Sequence, residues 1–208
     1  MLKMSIDEYN GSAIVAMGGE NCVASASDRR FGVQMLTIST KCPKIFQIND
    51  RIMLGLSGLM TDVDTVREKL RHEVNLLELK EERPIDPKRF ANMVKSLLYK
   101  HRFGSYFVSP VIAGLDPTTN EPVIASSDSI GAMTTNKMFA CAGTSEEELY
   151  GVCESMWRPD MEPEQLLNTI SKCLIAAVER DAIAGWGGIV YLITPTEIIT
   201  TEIKTRID

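Results

Sequence analysis

Three side chains near the start of this sequence have types that could do chemistry together: the hydroxyl of Ser12, the carboxylate of Asp28 and the amine of Lys44. Sixteen residues separate each from the next. They supply one kind of nucleophile that needs no histidine. Cleavage after Gly11 would give Ser12 a free α-amine, whose unperturbed pKa is roughly 7.7–8.0. That amine can take the hydroxyl proton as general base. A nearby Lys44 ammonium would favour the ionised hydroxyl, and Asp28 would hold the lysine in place. A plainer role suits the same residues, because buried Asp–Lys pairs also occur in purely structural networks.

The surrounding pattern must bring the three together. Residues 11–17 and 22–27 are short apolar runs rich in small residues, joined by Gly18-Gly19-Glu20-Asn21. They predict two strands covered on both faces and paired as a hairpin. Strands over 44–47 and 51–56 follow around the Asn49-Asp50 turn, and the first of them sets Lys44 beside Asp28. Ser57-Gly58-Leu59 breaks the strand pattern, and Thr61 or Asp62 is placed to cap a helix. Its inner stripe is Val63, Val66, Leu70, Val74 and Leu77. Gly58 has two readings. A backbone N–H at a strand-to-helix junction is a good oxyanion donor, and a glycine there also serves close packing or a tight turn.

Further along, Asp86-Pro87 offers an N-cap and a first-turn proline for a second helix. Phe90, Val94, Leu97 and Leu98 face inward, and the helix stops near Gly104. Strands are expected over 110–115 and 122–126, with 138–142 the last of that group. Gly143-Thr144-Ser145 is placed to cap a third helix, whose first turn holds Glu146, Glu147 and Glu148. Acidic residues there complement the helix dipole and need no partner. A fourth helix starts at Pro163, and strands over 189–193 and 197–201 close the chain.

At 208 residues and 44% hydrophobic, the sequence can bury a full core as one domain spanning 1–208. A net charge of -6 without a basic block argues against a nucleic-acid partner. No apolar run approaches the length of a membrane span. The first ten residues carry Lys3, Asp7 and Glu8 and do not read as a signal peptide. Five cysteines without a CxxC pair suggest reduced thiols in a cytosolic or nuclear setting. His72 and His101 fall in separate charged helical segments and read as solvated helix faces, so no metal site is expected. Gly185-Trp186-Gly187-Gly188 lacks the lysine and hydroxyl of a phosphate loop. A small-molecule-binding module therefore has no fingerprint here, and no cofactor is expected.

Asn10-Gly11-Ser12-Ala13, Asn21-Cys22-Val23, Asp28-Arg29-Arg30-Phe31-Gly32 and Pro43-Lys44-Ile45-Phe46 resemble the opening of proteasome beta-type subunits. Segments 55–63, 102–104, 110–116 and 153–157 carry the resemblance over nearly the whole chain. These subunits are N-terminal-nucleophile hydrolases, so the resemblance implies an α/β fold of four layers: an αββα sandwich with two sheets between two helical layers. In catalytic relatives the residue matching Ser12 is threonine, preceded by a glycine like Gly11 and freed by self-cleavage. Gly58 matches the oxyanion donor, and Thr144 matches a serine beside the nucleophile. Asp181 matches the aspartate of an Arg-Asp-Ala-x-Ser-Gly signature, in which Ala184 stands where the serine belongs.

The segments are most similar to a beta-type subunit that the family treats as non-catalytic. That resemblance makes Ser12, Asp28, Lys44, Gly58, Thr144 and Asp181 vestigial positions. It also implies that residues 1–11 persist as a short N-terminal extension, leaving no free amine at Ser12. The implied role is architectural, in the beta ring of the 20S core particle. The partners would be neighbouring beta-type subunits, alpha-ring subunits and the opposite beta ring, around a chamber that receives polypeptide substrates. The chain would also line part of a neighbour's substrate pocket. The alternative is an active N-terminal serine peptidase. Ala184 weakens it, and so does serine itself, which lacks the methyl that restricts threonine to fewer rotamers.

Overall fold

The computed structural model describes residues 5–206, so the first part of the expected N-terminal extension lies outside the described residues. Strands β1 (Ala13–Gly18) and β2 (Val23–Asp28) are buried at every position. They form the expected hairpin, with Ile14 opposite Ser27 and Gly18 opposite Val23. A second, two-stranded hairpin follows, β3 (Phe31–Val33) and β4 (Leu36–Ser39). It went unread in the sequence because both strands are short, and the apolar face of β4, Leu36 and Ile38, is exposed and joins no core of this chain.

Then come β5 (Ile45–Asn49), β6 (Ile52–Gly58), α1 (Met60–Glu81) and α2 (Pro87–Lys100). The middle supplies β7 (Val108–Leu115), β8 (Pro122–Ser127), β9 (Met133–Asn136) and β10 (Phe139–Gly143). Helices α3 (Glu146–Met156) and α4 (Pro163–Val178) precede the closing pair β11 (Gly188–Ile193) and β12 (Ile198–Ile203).

Two five-stranded sheets result, ordered β10-β1-β2-β11-β12 and β5-β6-β7-β8-β9. Strand alternation explains why β1 has no polar face. Ile14 and Ala16 point between the sheets, where they join Val23, Met53, Val111 and Ala113. Ala13, Val15 and Met17 point the other way, against Leu149, Leu166, Ile170 and Leu174 of α3 and α4. On the far side of the second sheet, Leu54, Leu56 and Ile112 pack on Val63, Val66, Phe90 and Val94 of α1 and α2. The layers therefore run helix, sheet, sheet, helix, as the resemblance implied.

Several local expectations need correcting. Helix α1 begins at Met60 with Leu59 as N-cap, not at Thr61 or Asp62. The Asp62 carboxylate is instead turned onto the backbone N–H of Phe107, 2.8 Å away. Asp86 does cap α2, accepting from Arg89 N at 2.9 Å. That helix stops at Lys100, and Arg102–Gly104 is a separate 3-10 turn. The segment near 138–142 does not belong with its sequence neighbours. As β10 it pairs with β1, in the sheet opposite β7 and β8. His101 is half-buried, sets Nδ1 2.9 Å from Leu97 O and packs on the Tyr106 ring, so it finishes α2 instead of facing water.

Candidate functional site

The end of β2 delivers Asp28 into the interior, and the residue before β5 delivers Lys44 to it. They are 0% and 1% exposed. Lys44 Nζ donates to Asp28 Oδ1 at 2.6 Å and to Oδ2 at 2.8 Å. Its remaining direction is taken by the Gly11 carbonyl, 2.9 Å away. Asp28 is held equally firmly by backbone donors. Ala13 N reaches Oδ1, while Arg30 N and Gly185 N reach Oδ2. A carboxylate with several donors remains well solvated without water, which is how a buried ion pair escapes most of its desolvation penalty.

Ser12, one residue before β1, is buried. Its backbone N–H is amide, not amine, in the uncut chain, and it donates to Thr144 Oγ1 at 3.2 Å. Thr144 Oγ1 in turn lies 2.6 Å from Asp181 Oδ2, to which it donates. The fold thus assembles two short chains of contacts on either side of Ser12: Asp28–Lys44–Gly11 and Asp181–Thr144–Ser12. All the polar positions picked from the sequence come to one place.

Gly58 lies at the end of β6, as expected for a strand-to-helix junction, and has φ +113°. A β-carbon there would sit 2.1 Å from Phe107 O. Close packing therefore accounts for the glycine. Ala184 is buried in the core beneath α4, among Leu174, Ala177 and Val178. The position matching the supporting serine is occupied by a methyl group, and the adjacent Gly185 N–H goes to Asp28.

Four further residues of the site are not among the candidates for its chemistry that the sequence offers. Arg30 is 2% exposed. Its guanidinium donates to Thr37 Oγ1, Ile183 O and Gln34 O, at 2.9, 2.7 and 2.9 Å. Burial pulls its pKa down, and the Asp28 and Asp181 carboxylates counter that. Asn10 is buried as well. Nδ2 donates to Gly32 O at 2.8 Å, and Oδ1 accepts from Met60 N at 3.0 Å. Ser145 makes no side-chain cap for α3; its side chain is directed onto Asp181 instead, and the hydroxyl donates to Oδ2 at 2.6 Å. Gly143, at φ +111°, leaves room for Ser12, whose carbonyl oxygen lies 2.2 Å from where a β-carbon would be. Gly143 was visible only as a strand end, and Arg30 only as one of two adjacent arginines.

A cleft of about 660 Å³ opens beside this cluster, lined by Gly58, Gly143, Thr144, Glu146, Glu147 and Glu8 among others. Glu146 has its pKa raised, chiefly by burial and secondly by Glu147. Glu8 comes from the segment ahead of Ser12, so that segment forms part of the cleft wall. Among the described residues no cluster of side chains has the arrangement of a metal site.

Residues 8–193 match the family described as proteasome subunit. The chain is 53% identical over 205 residues to proteasome subunit beta type-3 of Oryza sativa subsp. japonica, covering 99% of this chain and 100% of that protein. It is 52% identical to the protein of the same name from Picea mariana, and 50% identical to that of Drosophila melanogaster, with the same coverage.

Proposed function

Because this chain belongs to the proteasome subunit family, we propose that it is a non-catalytic, structural subunit of the beta ring of the 20S core particle. It assembles with other proteasome subunits: neighbouring beta-type subunits, the alpha ring and the opposite beta ring. Its part in degrading polypeptides is to close the chamber wall and to line part of a neighbour's substrate pocket.

The observation that supports the non-catalytic reading is the anchoring of the residues ahead of Ser12. Asn10 is 5% exposed and ties the β3 strand to the start of α1 through both ends of its amide. Tyr9 O accepts from Gln34 N at 2.8 Å. A chain that uses its N-terminal segment as a structural link has reason to keep it. With the segment kept, Ser12 has no free amine to act as general base. Ala184 removes a further supporting hydroxyl.

Intact-mass and N-terminal measurement of the chain from assembled particles tests this. Retention of residues ahead of Ser12 is expected. An N-terminus at Ser12 would overturn the proposal and favour the serine peptidase, for which Asp28, Lys44, Thr144 and Asp181 are already assembled.

A further inference from the structure

The C-terminal corner of α2 carries apolar surface that this chain does not cover. Phe103 is 93% exposed and Tyr99 57% exposed. Between their rings lies the Arg102 guanidinium, its central carbon 4.2 Å from the Tyr99 ring centre and 4.6 Å from that of Phe103. Cation–π attraction holds such a stack even at an exposed site. Nη1 of Arg102 donates to Tyr99 O at 3.0 Å, which fixes the plane of the fork. Gly131 packs against the backbone of Lys95 and Tyr99 and brings Ile130, 44% exposed, to the same flank.

The charge around this corner runs against that of the chain. Its net charge is -6, yet no aspartate or glutamate occurs from Pro87 to Leu115. Lys88 and Arg89 in that stretch are paired with Asp116 and Glu81. Lys95, Lys100 and Arg102 form no ion pair among the described residues. In the adjoining loop, the Asp128 carboxylate accepts from the N–H groups of Ile130 and Ala132, at 3.0 and 2.8 Å.

From this we infer that the Tyr99–Arg102–Phe103 corner docks a carboxylate-bearing, partly apolar segment of an adjoining proteasome subunit. The inference rests on the family reading given above. Arginine and aromatic side chains are the residues most enriched where interfaces carry their binding energy. An arginine already stacked between two rings loses little freedom on binding, and its free edge matches a carboxylate in two parallel hydrogen bonds. A second copy of this chain is disfavoured as occupant, since a twofold pairing of the corner would set Lys95, Lys100 and Arg102 against their own like charges.

The test uses whole particles. A benzophenone amino acid replaces Phe103, which lies outside the core, and particles are isolated through a tag on another subunit and irradiated. The expected result is a crosslink to one adjoining subunit, mapped to a segment with an aspartate or glutamate beside apolar residues. Crosslinks to no subunit, to a second copy, to substrate polypeptide or to nucleic acid would each overturn the proposal. In competition with the wild-type chain, Arg102→Glu should enter particles about tenfold less often, the ratio that corresponds to roughly 1.4 kcal/mol. Equal entry also counts against it. If the wild-type chain itself were absent from particles, the family reading would be at fault; if it were present and position 103 stayed uncrosslinked, only this inference would be.

Discussion

Lys44 donates to the carbonyl of Gly11 at 2.9 Å, so its ammonium touches the peptide unit that joins Gly11 to Ser12. With both Asp28 oxygens also on Nζ, at 2.6 and 2.8 Å, its three protons are committed. The lysine acts here as a clasp between β2 and the segment leading into β1.

Replacing Ser12 by alanine should therefore leave cleavage unchanged. Peptidase activity, normalised to particle concentration and taken across several peptide classes, is expected to match wild type. Selective loss of one class would sink the non-catalytic reading.

Lys44→Ala should act on stability alone. Removing one partner of a buried pair leaves an uncompensated charge, at a typical cost of about 3–5 kcal/mol. Fewer particles should contain the variant, and each should cleave at the normal rate. The double variant Asp28→Leu with Lys44→Met should not recover, because the N–H groups of Ala13, Arg30 and Gly185 would lose their acceptor. Thermal unfolding of particles containing each variant checks both statements.

Asn10→Ala leaves Gly32 O and Met60 N without their side-chain partner, for about 1–3 kcal/mol if the groups stay buried. Limited proteolysis should then cut the segment ahead of Ser12 faster than in wild type, with cleavage elsewhere unaltered. Unchanged proteolysis would mean that the amide does not hold the segment.

The thiols give a prediction in pH. Cys22 is buried, and burial with the nearby Glu20 pushes its pKa up to about 11. Cys153 and Cys173 are buried and pushed up too, Cys153 first by its contact with the Cys141 thiol, Cys173 first by its contact with Cys153, and each also by burial. Cys42 is half-buried, raised mainly by burial and opposed by Lys44. A thiolate is the reacting form, so a raised pKa means slow alkylation at neutral pH that accelerates as pH rises. Iodoacetamide should label Cys42 before the others in native protein. Labelling of Cys22 first would contradict the burial.

The Asp28–Lys44 pairing was legible because two small-residue strands and a turn leave little choice of register. A hairpin joining residues 13–18 to 23–28 end to end puts Asp28 opposite Ala13, one residue from Ser12. Thr144 and Asp181 were legible only through the resemblance, since nothing local ties residues 37 apart in the chain. Asn10 and Arg30 stayed hidden for a physical reason. Apart from the Thr37 hydroxyl on Arg30, their partners are backbone carbonyls or N–H groups, and backbone partners leave no trace in residue identity. Ser145 differs from the expectation because a hydroxyl before three glutamates is the usual sign of a helix cap, and here the side chain is directed onto Asp181, to which it donates, and no helix N–H reaches its oxygen.

The central place of β1 and β2 in their sheet sets terms for how the chain is made. Their outer neighbours are β10, complete only at Gly143, and β11, which begins at Gly188. During synthesis at about 5–20 residues per second, roughly ten to thirty seconds separate the emergence of β2 from that of β11. The first hairpin presents two open edges until β10 emerges and one until β11 does, and an open strand edge is prone to pair with the wrong chain. The β2 edge of the hairpin that anchors the finished site is thus the nascent chain's longest-standing hazard, closed only when the last strands arrive.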